Sequence, residues 1–269
     1  MGERSVLRKK FFKEVAAAGL PGGPGPAAVV TQADIGALPE TVQRYMRFMK
    51  VVGRHRDWSF RVSFEGRFRT KLDGPWLPCR TWQYNTRLDL ARIFHIRVLF
   101  GHVLPVLARD TFLRGHGRML VKALDLFPVV DGSGPEFDMG ELVTYLNDAV
   151  FFAPTMVLGP EAVWSNVDHD AFDVALSDHG VTVTARVFVD QRGAPVDFST
   201  TDRFYSASGE KGSPLTRGRW TTPFEVTYVD GRPVAGGGRA QWHLPDGPRP
   251  YAEFSLVPGT LAYNVAPGV

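Results

Sequence analysis

Residues 58–71 read WSFRVSFEGRFRTK. At period two, Trp58, Phe60, Val62, Phe64 and Phe68 fall on one side, and Ser59, Arg61, Ser63, Glu65, Arg67, Arg69 and Lys71 on the other. Successive strand side chains point to opposite faces, so the pattern predicts a long β-strand with one apolar and one wet face. At about 3.3 Å per residue such a strand spans roughly 40 Å, long for a globular protein. Its row of aromatic side chains implies a large curved antiparallel sheet closing round something.

The same alternation recurs down the chain. Residues 78–87 set Trp82 and Tyr84 against Thr81, Gln83 and Asn85, and residues 91–99 set Phe94, Ile96 and Val98 against His95 and Arg97. Strands over 107–114 and 118–126 flank Gly115-His116-Gly117, where glycine permits a tight turn. The stretch 129–135, VVDGSGP, reads as a loop. Val181, Val183, Ala185, Val187 and Val189 alternate cleanly, and Phe224, Val226 and Tyr228 lead into Asp230-Gly231, a strong hairpin signal. Ala240, Trp242 and Leu244, then residues 251–257, supply further strands.

Helical spacing appears in three places. Residues 1–18 set Val6, Leu7, Phe11, Phe12 and Val15 against lysines, and LPGGPGPAA (20–28) continues the chain as a flexible linker. A second helix starts near Pro39 with Val42, Tyr45, Met46 and Met49 as its apolar stripe, a plug laid against the sheet. The third spans about 138–152, where Leu142, Leu146, Ala149 and Val150 recur; Asp138 or Glu136 suits its N-terminal end, and Pro154 stops it.

With about a dozen strands and no alternating βαβ rhythm, the fold class is mainly β (α+β). It is a large antiparallel curved sheet, barrel or half-barrel, with a central helix and N-terminal helices packed on it. Residues 1–35 form a basic helix and linker, and 36–269 a single β-rich domain.

Charge and cysteine usage narrow the partners. The formal charge of +3 resides in residues 1–14, which carry Arg4, Arg8, Lys9, Lys10 and Lys13 against Glu3 and Glu14. The body is therefore formally neutral, without the basic stripe a nucleic-acid binder needs. The tail reads as a solvated helix, with contact to an anionic membrane surface as the lesser reading. The VAAAGLPGG stretch behind the charges is too short and too weakly apolar for a signal peptide, and no run of eighteen apolar residues exists to span a bilayer. The single cysteine, Cys79, reads as a buried thiol and fits a reducing cytoplasm. There is no GxGxxG opening a helix, no P-loop, no HExxH and no GxSxG, so no cofactor is implied. His169, in VDHDAF, has no second histidine at ligand spacing and reads as a polar turn, so no metal is expected.

Six segments carry a resemblance. LPETVQRYM (38–46), WQYN (82–85), ARDTFLRGHGRML (108–120), DMGELVTYLNDAVFFAP (138–154), the lone Trp164 and TDRFY (201–205) occur in this order. Together they resemble a bacterial family of unknown function, over roughly residues 36–265. The resemblance implies a β-rich body with a central helix and supplies no activity. Members usually carry RYLxE in the central helix; here Thr144-Tyr145-Leu146-Asn147-Asp148 loses the arginine and shortens the acid.

For function, a small barrel cannot pack this many large rings without leaving a concavity, and aromatic walls with few polar groups suit bulky apolar ligands. The main expectation is a cofactor-independent cyclase or pericyclase acting on a polyketide- or polyene-like molecule, as in specialised metabolism, with orientation supplying most of the rate. Tyr145 and Asp148, three apart on one helix face, and Asp202, on a strand face with Phe198 and Phe204, are the candidate proton carriers and donors. Trp82, Tyr84, His95, Arg109, Phe198, Trp220 and Trp242 are the candidate substrate-binding residues. Arg109-Asp110, in an otherwise apolar strand, reads either as a local ion pair or as a ligand-facing pair. The alternatives are a carrier for a lipid-like ligand and a structural protein with a filled interior.

Overall fold

In the computed structural model, which describes residues 2–24, 28–101, 104–123, 127–206 and 213–269, one antiparallel sheet curls around a helix. The strands are β1 (Ser59–Val62), β2 (Phe64–Phe68), β3 (Leu77–Thr86), β4 (Ala91–Phe100), β5 (Leu104–Leu113), β6 (His116–Ala123), β7 (Phe127–Ser133), β8 (Ala162–Ser165), β9 (Ala171–Asp178), β10 (Val181–Val189), β11 (Pro195–Ser206), β12 (Leu215–Thr221), β13 (Phe224–Val229), β14 (Arg232–Leu244), β15 (Gly247–Leu256) and β16 (Ala262–Tyr263). Their order is β7-β6-β5-β4-β3-β2-β15-β14-β12-β11-β10-β9-β8, with β1 between β3 and β16, and β13 beside β14. The result is the expected half-barrel.

The strand predicted over 58–71 holds one register with β3 from Ser59↔Thr86 to Phe68↔Leu77. Its other edge changes partner at Ser63, from β16 to β15, and the strand ends at Phe68, short of Lys71. The stretch read as a loop at 129–135 instead continues as β7, paired with β6. Its glycine has a packing role: a Cβ on Gly132 would lie 2.2 Å from the Phe137 ring. Asp230 and Gly231 form the β13–β14 turn with φ of 50° and 73°, the left-handed pair this hairpin requires.

The helices are α1 (Gly2–Ala17), α2 (Gln32–Gly36), α3 (Glu40–Phe48) and α4 (Pro135–Phe152), with a 3-10 turn at Pro154–Val157 after the last. α4 starts three residues before the predicted position. Asp138 does not cap it; its carboxylate instead accepts the Gly117 N–H at 2.7 Å, tying the helix to β6. Every residue from Gly140 to Phe152 is buried, because α4 packs against β4–β7 on one side and β9–β11 and β14 on the other. A helix covered on all sides is part of the core, so its few polar side chains are buried with it. Leu142, Leu146 and Val150 are wholly buried, each worth about 1.5–3 kcal/mol.

α1 packs on the opposite, convex face of the sheet, where Phe11 and Val15 join Trp82, Tyr84 and Ile93. The Val6 and Leu7 side chains, residues 25–27 of the predicted linker and residues 124–126 of the strand predicted over 118–126 lie outside the described residues. α3 lies over α4, with the Tyr45 hydroxyl donating to the Val150 carbonyl at 2.8 Å.

Candidate functional site

Cross-strand register builds one wall of an internal cavity. Gln83, Phe94, Asp110 and Met119 stand opposite one another on β3 to β6, so they share the concave face, and Arg92 opposite Asn85 shares it too. α4 presents Thr144, Asn147, Asp148 and Phe151 to the same space, at the i, i+3, i+4, i+7 spacing of one helical stripe. The cavity between them holds about 200 Å³. Rings from Phe64, Phe68, Phe152, Trp220, Phe224 and Phe254 complete the wall.

A buried charge network forms the polar end. Arg92 donates through Nε to Asp148 at 2.7 Å and through Nη1 to Glu141 at 2.9 Å. The same Asp148 oxygen accepts from Gln83 Nε2 at 2.7 Å and Asn85 Nδ2 at 3.2 Å. Burial opposes the Arg92 charge, but Asp148 and Glu141 outweigh it and hold the guanidinium protonated. Burial likewise raises the proton affinity of Asp148 against the pull of Arg92. Glu141 is pushed up to about 7 by burial and by the negative charge of Asp110. Asp110 is raised by burial, and Arg92 and Arg203 only partly offset this. Its Oδ1 is buried at the cavity wall without a hydrogen-bond donor. Buried acceptors are normally satisfied, so this atom stands ready for a donor from outside the chain.

Arg203 arrives by a bulge. Thr200 pairs with Trp220 and Arg203 with Gly218, so β11 carries one extra residue between them. The extra residue inverts the alternation: Arg203 turns to the concave face, 4.4 Å over the Trp220 ring, and Asp202 turns away. Asp202 accepts the Thr184 N–H at 2.7 Å and pairs with Arg217. The Gly236-Gly237-Gly238 run in β14 lines the cavity where β13 crowds in. A Cβ on Gly238 would lie 2.7 Å from that of Phe224.

The predicted site residues thus divide. Asp148 and Trp220 line the cavity. Phe198 packs behind it on Phe151 and Trp220, and Trp242 stands behind Tyr251. Tyr145 is buried on another side of α4 with its hydroxyl unpartnered, and burial raises its proton affinity. Tyr145 and Asp202 therefore do not converge with Asp148. Trp82, Tyr84, His95 and Arg109 occupy the convex face under α1, where Glu14 meets His95 Nε2 at 2.9 Å and Arg109 Nη1 at 2.8 Å. Arg109 and Asp110 cannot form the local ion pair, because neighbouring strand residues face opposite ways.

Arg92, Glu141 and Arg203 were missed as site residues by reading the sequence, and Asp110 entered only as half of the Arg109-Asp110 pair, with Arg109 taken as the ligand-facing member. Arg92 and Asp110 carried a weak signal, a charge on the apolar face of an alternating strand. Arg203 carried none, since nothing in the sequence marks the bulge. Among the described residues, no three His, Cys, Asp or Glu side chains converge as metal ligands.

No curated protein matches the sequence. Two solved structures resemble the fold: a "putative outer membrane lipoprotein-sorting protein domain" from Vibrio parahaemolyticus, at 11% identity and TM-score 0.42, and a DUF1329 family protein from Desulfovibrio piger, at 12% and 0.44. Each match covers 83% of this chain and 91% of the other. The model of the family of unknown function DUF6544 matches residues 28–254. The resemblance of the six sequence segments and this match agree: the chain belongs to that family of unknown function.

Proposed function

We propose that the protein binds a small, largely apolar molecule whose one polar end donates a hydrogen bond. The observation that carries this reading is the buried, donor-less Asp110 Oδ1 at the wall of an aromatic cavity. Apolar walls supply affinity, while one or two placed polar groups fix orientation. The cavity volume, about 200 Å³, is below the roughly 300–1,000 Å³ of pockets for drug-sized ligands. The cavity therefore takes a compact ring or a chain end rather than a whole polyene.

A catalytic reading keeps one support: Asp110 and Glu141, carboxyls with raised proton affinity, stand at and behind the cavity, as a cofactor-free isomerase or cyclase needs for proton transfer. It shifts the acid–base role from Tyr145 and Asp202 to Asp110. The scatter of the other candidates favours binding.

Native mass spectrometry of the purified protein, with denaturing extraction as the second step, tests the proposal. A co-purifying molecule that is retained by wild type and lost by Asp110→Leu, which removes the acceptor at similar volume, supports it. A ligand held equally by both proteins sinks the assigned role of Asp110. Turnover of the extracted molecule by wild type, lost in the variant, would select the catalytic reading.

A further inference from the structure

A second and larger concavity lies on the other side of the sheet. Between α1 and β1–β3 a groove of about 710 Å³ is lined by Arg8 and Lys9 from the helix and by Arg61 and Arg80 from the sheet, over a floor that includes Phe12 and Trp82. Among the described residues, no Asp or Glu side chain lines it. Glu14, an acid on the same helix whose side chain is described, is already engaged by His95 and Arg109. Glu65, opposite Arg80 in register, forms no ion pair with it among the described residues.

The cations are crowded. Arg8 and Arg61 both sit against the Phe12 ring, at 5.3 and 5.2 Å from its centroid. Burial, together with the neighbouring Arg8 charge, makes the Arg61 guanidinium easier to deprotonate than usual. Arg61 donates to the Val269 main-chain oxygen, but Arg80 Nε is buried with no acceptor. Like charges gathered around a cavity repel one another and gain most from an anion placed among them. The aromatic floor adds a requirement for apolar surface next to that anion.

From this geometry we infer that the groove is a binding site for an anionic amphiphile, an acidic headgroup carried on a short apolar chain. The headgroup lies among Arg8, Lys9, Arg61 and Arg80, and the chain lies over Phe12 and Trp82. This site is separate from the internal cavity and does not rest on the function proposed for it. The chemistry is supplied equally by a free molecule or by an acidic lipid at a bilayer surface.

Calorimetric titration with dodecyl phosphate, dodecyl maltoside and inorganic phosphate tests the headgroup and the chain separately. Sedimentation with phosphatidylcholine vesicles, with and without phosphatidylglycerol, tests the bilayer source. Dodecyl phosphate is expected to bind most tightly, with affinity falling as salt rises and about tenfold weaker in Arg61→Gln/Arg80→Gln. Arg8→Gln/Lys9→Gln should also weaken it. That second variant alters exposed helix positions and leaves the sheet intact, so its loss cannot be ascribed to unfolding. Arg118→Gln, on another part of the sheet, should leave binding unchanged. Co-sedimentation only with phosphatidylglycerol vesicles, lost in both double variants, identifies the bilayer as the source; binding of dodecyl phosphate without co-sedimentation identifies a free ligand. Equal binding of phosphate and maltoside amphiphiles, equal binding of inorganic phosphate and dodecyl phosphate, no effect of either double variant, or no binding to any probe would overturn the proposal.

Discussion

Arg92 on β4 and Asp148 on α4 meet at 2.7 Å inside the half-barrel, both almost wholly removed from solvent. This contact joins the sheet to the helix it encloses, and Gln83 and Asn85 of β3 close on the same carboxylate oxygen. The geometry that orders the core also orders the polar end of the cavity.

Removing one partner strands the other. Asp148→Ala should destabilise the protein by about 3–5 kcal/mol, because Arg92 then keeps a buried charge with only Glu141 beside it. Asp148→Asn should cost less, since the amide oxygen still accepts hydrogen bonds. Urea denaturation of the two variants measures the difference, and equal stability of Asp148→Ala and wild type would refute the coupling.

Asp110 should behave in the opposite way. Its carboxyl is desolvated with an unsatisfied oxygen, so Asp110→Asn relieves a cost and should leave the melting temperature unchanged or raise it. A fall of several degrees would show that Asp110 is structural rather than poised for a ligand.

Glu141 gives a pH dependence. Its ordinary value of 4.5 is raised to about 7 in the folded chain, so between those values the folded state holds a proton that the unfolded state has released. Stability from this group is therefore complete below the lower value and is lost as pH rises through the higher one, on the order of 3 kcal/mol. Asp110 and Asp148 are shifted in the same direction and add to the trend. Thermal melts between about pH 5 and about pH 8 should show this decline in wild type, and Glu141→Gln should flatten it. An identical slope in both proteins would refute the assignment.

Glu14 holds α1 to the sheet. It is lowered from 4.5 to about 2, because His95 and Arg109 outweigh the burial that opposes its charge. Its anchoring is thus present above the ordinary value and is lost only as pH falls toward about 2. Glu14→Gln should loosen the helix and speed trypsin cleavage at Lys9, Lys10 and Lys13, with little change in the melting of the half-barrel. Unaltered cleavage would mean that Phe11 and Val15 suffice to hold the helix.

The sequence by itself determined the strands, the central helix and the antiparallel sheet, because period two and period 3.6 are local properties of neighbouring side chains. The alternation of residues 58–68, the Asp230-Gly231 turn and the apolar rows of α4 were all legible there. Only the tertiary structure decided which face meets which partner. α4 lies inside the curl and α1 outside it, so Gln83 and Arg92 line the cavity while Trp82, Tyr84 and His95 lie beneath α1. Asp110 rather than Arg109 faces inward for the same reason. At β11 a single extra residue reverses the alternation and exchanges Asp202 for Arg203. A bulge is set by strand pairing across the sheet, and the identity of the packed face by elements distant in sequence. Neither is recorded in the spacing of residues along one strand.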